Sequence, residues 1–118
     1  MQIKIGKEAE IVAKNFLLKQ GLQLIKNNYH CIWGELDLIM LDKNNTIVFI
    51  EVRKRNNKHY GGALASITNN KKIKIIKTAM NFLQRHKQFI SYYCRFDVVF
   101  FDSNNTPIWL PNAFEMSQ

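Results

Sequence analysis

The sequence predicts an α/β (α+β) chain: one mixed β-sheet flanked by helices, in the order α-β-β-β-α-β. Three observations carry that prediction. Two segments repeat apolar residues at helical spacing. Four shorter runs are rich in Val, Ile, Leu and Phe and are bounded by Asn, Asp and Gly. The second helical segment falls between the third and fourth runs, where a helix-bearing crossover suits a parallel pair; the first three runs suit an antiparallel meander. The 118 residues fit a single domain over 1–118, large enough for a real core.

The first helix is expected from about Ile5 to Gln20. Ile5, Ala9, Val12, Ala13, Phe16 and Leu17 form its apolar stripe, and Gly21 is placed to cap its C-terminus. A first strand follows from Leu22 to Ile32, with an irregularity expected at Asn27-Asn28. Trp33-Gly34 turns the chain into a second strand, Glu35 to Leu41. Asp42-Lys43-Asn44-Asn45 turns it again, into a third strand from Thr46 to Lys54. The connection to Thr68 is long for a compact domain and carries Gly61-Gly62, as functional loops often do. Thr68, Asn69 or Asn70 can cap a second helix that runs to about Gln88. Its expected buried stripe is Ile73, Ile76, Ala79, Met80 and Leu83, flanked by Ile75 and Phe82. Lys71, Lys74, Lys77, Thr78, Asn81 and Arg85 fall opposite. Lys72 lies in the stripe but in the first turn, where it can reach past the sheet edge. The fourth strand is Tyr93 to Phe101. Asp102-Ser103-Asn104-Asn105 is a turn, and Thr106 to Leu110 is a short edge strand, because Pro107 is unwelcome in a central one. The tail from Pro111 is expected to be ordered only in part, with Trp109 or Phe114 packing back.

Acids interrupt the strands where a core should carry none. Asp37 sits inside Leu36–Leu41, and Glu51 follows Ile47-Val48-Phe49-Ile50. A buried carboxylate is costly unless paired, hydrogen-bonded or metal-bound. Glu51 and Arg53 share a strand face, with Val52 on the other. Two acids on adjacent strands and a nearby cation make a site suited to a divalent metal and a phosphate. Asp97 with Arg95 on the same strand face suits a structural ion pair. Glu35 shares parity with Asp37 and either joins the site or ends the hairpin. For Glu10, beside the helical stripe, spacing alone favours a solvated flank paired with Lys14.

Charge is unevenly spread. The net charge is +8, yet no acid lies between Glu51 and Asp97, where eleven basic residues fall; the remainder carries net −3. A phosphate-rich partner fits that asymmetry, and so does a solvated basic face. No apolar run is long enough to span a bilayer, and the N-terminus lacks a secretory segment, so a cytoplasmic location without membrane partners is expected. Cys31 and Cys94 lie far apart, and His30, His59 and His86 are scattered, which disfavours a zinc site.

Asp37, thirteen residues, then Glu51-x-Arg53, after a helix bearing Glu10, resembles the PD-(D/E)XK (restriction-endonuclease-like) nuclease core. More narrowly, the chain resembles the YraN-like uncharacterised bacterial family grouped with that superfamily. The match is carried by Gly6-x-x-Ala9-Glu10, Gly34-Glu35-Leu36-Asp37-Leu38-Ile39, Val48–Arg53-x-Arg55, Tyr60-Gly61-Gly62 with Lys71, and Arg95-Phe96-Asp97-Val98-Val99. The resemblance implies a restriction-endonuclease-like core and an endonuclease that hydrolyses phosphodiester bonds in DNA with Mg²⁺ or Mn²⁺. Asp37 and Glu51 match the metal ligands, and Glu10 matches the acid that completes the shell through water. Arg53 takes the place of the signature lysine, which family members fill with Lys or Arg. Arginine stays protonated and cannot act as a general base, but it can hold a phosphate. Lys71 is in register with a family lysine and, with Lys72, is a candidate for the missing amine. Nucleic-acid contacts are expected from Arg53, Lys54, Arg55, Lys58, Tyr60, Lys71, Lys72 and Lys74; Tyr60 stacks on a base or packs on the sheet. A nucleic-acid-binding module with little or no cleavage stays open, as does a protein-interaction domain with an acidic partner. A homodimer would suit a double-strand cut, though no residue specifies one.

Overall fold

The computed structural model describes residues 2–54 and 66–115, with side chains from Gly6 onward. Among the described residues it is a mixed α+β chain of two helices and one five-stranded sheet. The elements are α1 (Gln2–Lys19), β1 (Gln23–Cys31), β2 (Gly34–Leu41), β3 (Ile47–Val52), α2 (Asn69–Arg85), a 3₁₀ turn (Lys87–Phe89), β4 (Cys94–Phe101) and β5 (Pro107–Phe114). The strands lie in the order β1-β2-β3-β4-β5. The β3–β4 pair is parallel and the other pairs are antiparallel. No helix among the described residues is long and apolar enough to cross a membrane.

The ends of the elements follow from local chemistry. Gly21 takes φ +98° and closes α1, with its N–H donating to Leu18 O and the Leu22 N–H to Leu17 O. Thr68 caps α2 by accepting the Lys71 N–H at 3.3 Å. The two tight turns use the same five-residue logic, Asp-x-Asn-Asn-Thr. Asp42 Oδ1 accepts the N–H groups of Asn44 and Thr46, Asp102 Oδ1 those of Asn104 and Thr106, and Asn45 and Asn105 both take φ +60°.

Each face of the sheet carries one core. Ala13 and Leu17 of α1 pack on Leu38, Met40, Val48, Ile50, Val99 and Phe101. On the other face, Ile75, Ala79, Phe82 and Leu83 of α2 pack on Tyr29, Ile39, Phe49, Phe96, Val98 and Phe100. Phe82 meets Tyr29 and Phe49 edge-on, with centroids 5.3 and 6.1 Å away.

Several expected details shift. Val12 is exposed rather than part of the α1 stripe, and the Ile5 side chain lies outside the described residues. The buried face of α2 is centred on Ile75, Ala79 and Phe82, so the expected stripe residues Ile73 and Met80 point outward. Aromatic packing around Phe82 sets this rotation. It also buries Thr78, whose hydroxyl donates to Lys74 O at 2.7 Å and so loses no hydrogen bond. The helix stops at Arg85, and a 3₁₀ turn replaces its expected last residues. The register of β1 shifts between Leu24 and Lys26, before Asn27-Asn28, while Asn28 itself takes φ +51°. The tail from Pro111 is strand as far as Phe114, which is buried. A bulge opposite Asp97 accommodates Pro111, which has no N–H to donate, and Asn112 in that bulge takes φ +53°.

Asp97 anchors that bulge. It is 1% exposed and fully paired: Arg95 Nε donates at 3.0 Å, Trp109 Nε1 at 2.8 Å and the Asn112 N–H at 2.8 Å. Arg95 Nη1 also donates to Asp42 Oδ2 at 2.9 Å, tying β4 to the β2–β3 turn. Asp97 is therefore structural. Replacing Asp97 with Ala removes one of the two carboxylate partners of Arg95 and leaves the Trp109 and Asn112 donors unpaired, so unfolding in urea should show a loss of about 3–5 kcal/mol.

Candidate active site

At the end of the β2–β3 pair away from its turn, the two strands part. Their pairing ends at Leu38↔Ile50. Beyond it the Val52 N–H donates to the Asp37 carboxylate, Oδ2, at 2.7 Å, and the Arg53 N–H donates across to Val99 O of β4 at 2.8 Å. A side-chain oxygen thus takes the place of a backbone carbonyl of β2. Side-chain alternation also breaks here. Leu36 and Ile39, three residues apart, both join the α2-side core, while Leu38 and Met40 join the other. The β1–β2 register sets Asn28, with its positive φ, opposite Asp37. The parting opens a mouth at the carboxyl ends of the parallel pair β3–β4, where open α/β sheets commonly bind ligands.

Three carboxyl groups meet there. Asp37 is 8% exposed and lies within side-chain reach of both Glu10 and Glu51. Glu10 reaches across from α1 towards Asp37 and Asn28, and no ion pair with Lys14 forms among the described residues. Burial first, and then the charge of Asp37, pushes Glu10 up to about 7 and Glu51 up to about 8. Burial likewise raises Asp37, opposed by its hydrogen bond from the Val52 N–H. Near neutral pH the cluster keeps protons that free carboxylates would release. Glu35, at the hairpin end, lies 3.3 Å from His30 Nε2 and is exposed, yet its charge is felt by Glu10 and Asp37.

Positive charge borders the acids. Arg53 Nη2 stands 3.5 Å from Glu51 Oε2 and makes no hydrogen bond, and Nε is also without a partner; both atoms are buried. A buried guanidinium with two idle donors is set to receive an anion. Lys71, at the start of α2, acts on Glu51 through its charge. Lys72 turns elsewhere, its Nζ 5.6 Å from the centroid of the Phe114 ring. Lys54 and Lys74 are exposed, while Arg55, Lys58, His59, Tyr60, Gly61 and Gly62 lie outside the described residues. Spacing did not reveal Asn28 as a partner of Glu10; an Asn able to adopt positive φ inside a strand was its one signal. It also missed a cleft of about 160 Å³ beside Glu10, lined by Lys7, Ile11, Lys14, Asn27 and Asn28.

Among the described residues, no group of three or more His, Cys, Asp or Glu side chains is gathered closely enough to hold a metal ion by itself. Mg²⁺ does not need such a set, because it keeps several waters and is held by one or two carboxylates. The donors of Asp37 and Glu51 are all oxygen, and Asp37 lies within side-chain reach of Glu51, as a hard cation requires. These residues therefore fit Mg²⁺ or Mn²⁺.

A family model described as "Uncharacterised protein family UPF0102" matches residues 9–101. The chain is 48% identical over 114 residues to a UPF0102 protein of Pseudomonas fluorescens (strain Pf0-1), covering 96% of this chain and 94% of that protein. It is 48% identical over 111 residues to one of Psychromonas ingrahamii, covering 93% and 88%. It is 47% identical over 111 residues to one of Legionella pneumophila (strain Corby), covering 93% of each.

The raised acids predict how stability changes with pH. Below about pH 4.5 the glutamates are protonated in both states. Above that the unfolded chain loses these protons while the folded chain keeps them, so folding takes up protons and stability falls as pH rises towards 8. With a chelator present, the melting temperature should drop by about 4 °C or more between pH 5 and pH 8.5. Glu51→Gln should flatten that slope.

Proposed function

The chain belongs to the uncharacterised protein family UPF0102, the YraN-like family anticipated from its motifs, and from that premise we propose that it is a metal-dependent nuclease of the PD-(D/E)XK type. The reading is of an endonuclease that hydrolyses phosphodiester bonds in DNA. The observation that carries it is the meeting of Asp37 and Glu51 beside the Arg53 guanidinium, two of whose buried nitrogens make no hydrogen bond.

The chain's own groups divide the work. Asp37 and Glu51 would hold Mg²⁺ or Mn²⁺, with Glu10 and Asn28 placed behind them to fix orientation. The ion's part is to lower the pKa of water and offset charge on the phosphate oxygens. The Val52 N–H holds Asp37 in one rotamer, so little is left to reorganise when substrate arrives. Arg53 clamps a non-bridging phosphate oxygen and steadies the negative charge that grows as water attacks in line. It cannot remove the proton from that water, because its guanidinium does not titrate in this range. Lys71, whose charge acts on Glu51, is an amine for that task or for a second phosphate contact. A basic residue in the lysine position that cannot accept a proton also favours a second reading, a nucleic-acid-binding module with little or no cleavage.

An assay with Mg²⁺ or Mn²⁺ separates the two. Wild-type protein should cut DNA, and Asp37→Ala with Glu51→Ala should abolish cutting while leaving binding in place. Arg53→Ala should slow cleavage by about 10²–10³-fold, the usual cost of losing one group that stabilises transition-state charge. Salt-sensitive binding without cleavage by the wild type would establish the second reading instead.

A further inference from the structure

The β1–β2 turn is apolar where a hairpin end is normally polar. Ile32 is 89% exposed and Trp33 is 44% exposed. Trp33 is held on one side by α2, with Lys77 Nζ 4.5 Å from its ring centroid. Lys71, Lys74 and Lys77 recur three residues apart, so they share one face of α2, and all three are exposed. The ends of this row are placed by contacts. Lys71 acts on Glu51, Lys74 lies against Gly34 (a Cβ built there would stand 4.0 Å from Lys74 Cβ), and Lys77 sits on Trp33. A line of positive charge therefore leads from the acid cluster to an exposed indole. Trp33 is four residues before Asp37 in the chain, a separation of about 13 Å at strand rise.

An exposed aromatic at the end of a lysine row fits one occupant better than others. Lysines neutralise phosphates without reading sequence. An indole stacks on the face of any base, but in a duplex those faces are covered by neighbouring pairs. We propose that Trp33, backed by Ile32, is a stacking platform for an unpaired base, and that the nucleic acid served by the acid cluster has a single-stranded segment laid along Lys71, Lys74 and Lys77. This inference rests on the nuclease reading above and adds a substrate class to it.

The test uses the full chain with Ca²⁺ in place of Mg²⁺, so that binding is measured without cleavage. Fluorescein-labelled oligothymidylate, a forked duplex and a blunt hairpin duplex are titrated against wild type, Trp33→Leu and Trp33→Phe. Tryptophan emission should be quenched by the first two ligands and not by the third. Trp33→Leu should remove the quenching and weaken single-strand binding about tenfold or more, with hairpin binding and the unfolding midpoint unchanged. Trp33→Phe should restore most of the affinity. Single-strand binding with no quenching, or equal affinity in Trp33→Leu, overturns the stacking role and leaves the nuclease reading standing. Failure to bind any of the three ligands overturns both.

Discussion

One hydrogen bond decides the character of the candidate site, the one from the Val52 N–H to Asp37 Oδ2. It replaces a ladder bond between two neighbouring strands with a bond to a side chain. β3 stays attached to β4 through the Arg53 N–H, and β2 is free to diverge. The carboxylate is fixed at the point where the strands part. Glu51 follows one residue after the last position of β3 paired with β2. A buried acid is usually an expense of folding. Here the backbone donor meets part of that cost, and the remainder is expressed as retained protons on Glu10 and Glu51.

The contrast with Asp97 explains why one acid is structural and the other is available. Both are buried and both sit within strands. Asp97 accepts from Arg95, Trp109 and the Asn112 backbone, so its charge is balanced within the fold. Asp37 has one backbone donor, and its neighbours in the cluster are other acids. The nearest guanidinium, Arg53, pairs only loosely with Glu51 and keeps two donors idle. Charge is thus matched around Asp97 and left open around Asp37. An ion and a phosphate together would complete the open site, because each supplies the charge that the other half of the site lacks.

The sheet was legible in the sequence because its strands are Val, Ile and Phe runs cut by Asp-x-Asn-Asn-Thr turns, whose side chains bond their own backbone. Caps at Gly21 and Thr68 were legible for the same local reason. The Arg95–Asp97 pair followed from two-residue spacing on one strand. Features set by tertiary packing were not legible. Hydropathy counts placed Ile73 and Met80 inside α2's stripe, whereas ring packing around Phe82 turns the helix and brings a self-satisfied Thr78 inward. Local spacing offered Glu10 a lysine four residues on, and only the arrival of β1 and β2 beneath α1 redirects it to Asn28 and Asp37. The strand beyond Pro111 depends on a bulge held by a buried acid fifteen residues earlier, which no local pattern encodes.

As the proposed seat of a divalent cation, the acid cluster should bind Mn²⁺. Isothermal titration of Mn²⁺ near pH 7, repeated in two buffers of different ionisation enthalpy, measures that directly. One ion should bind per chain with release of protons to the buffer, because binding requires deprotonated carboxylates, and Asp37→Ala should abolish the binding. Absence of binding, or binding indifferent to Asp37 and Glu51, would contradict the account.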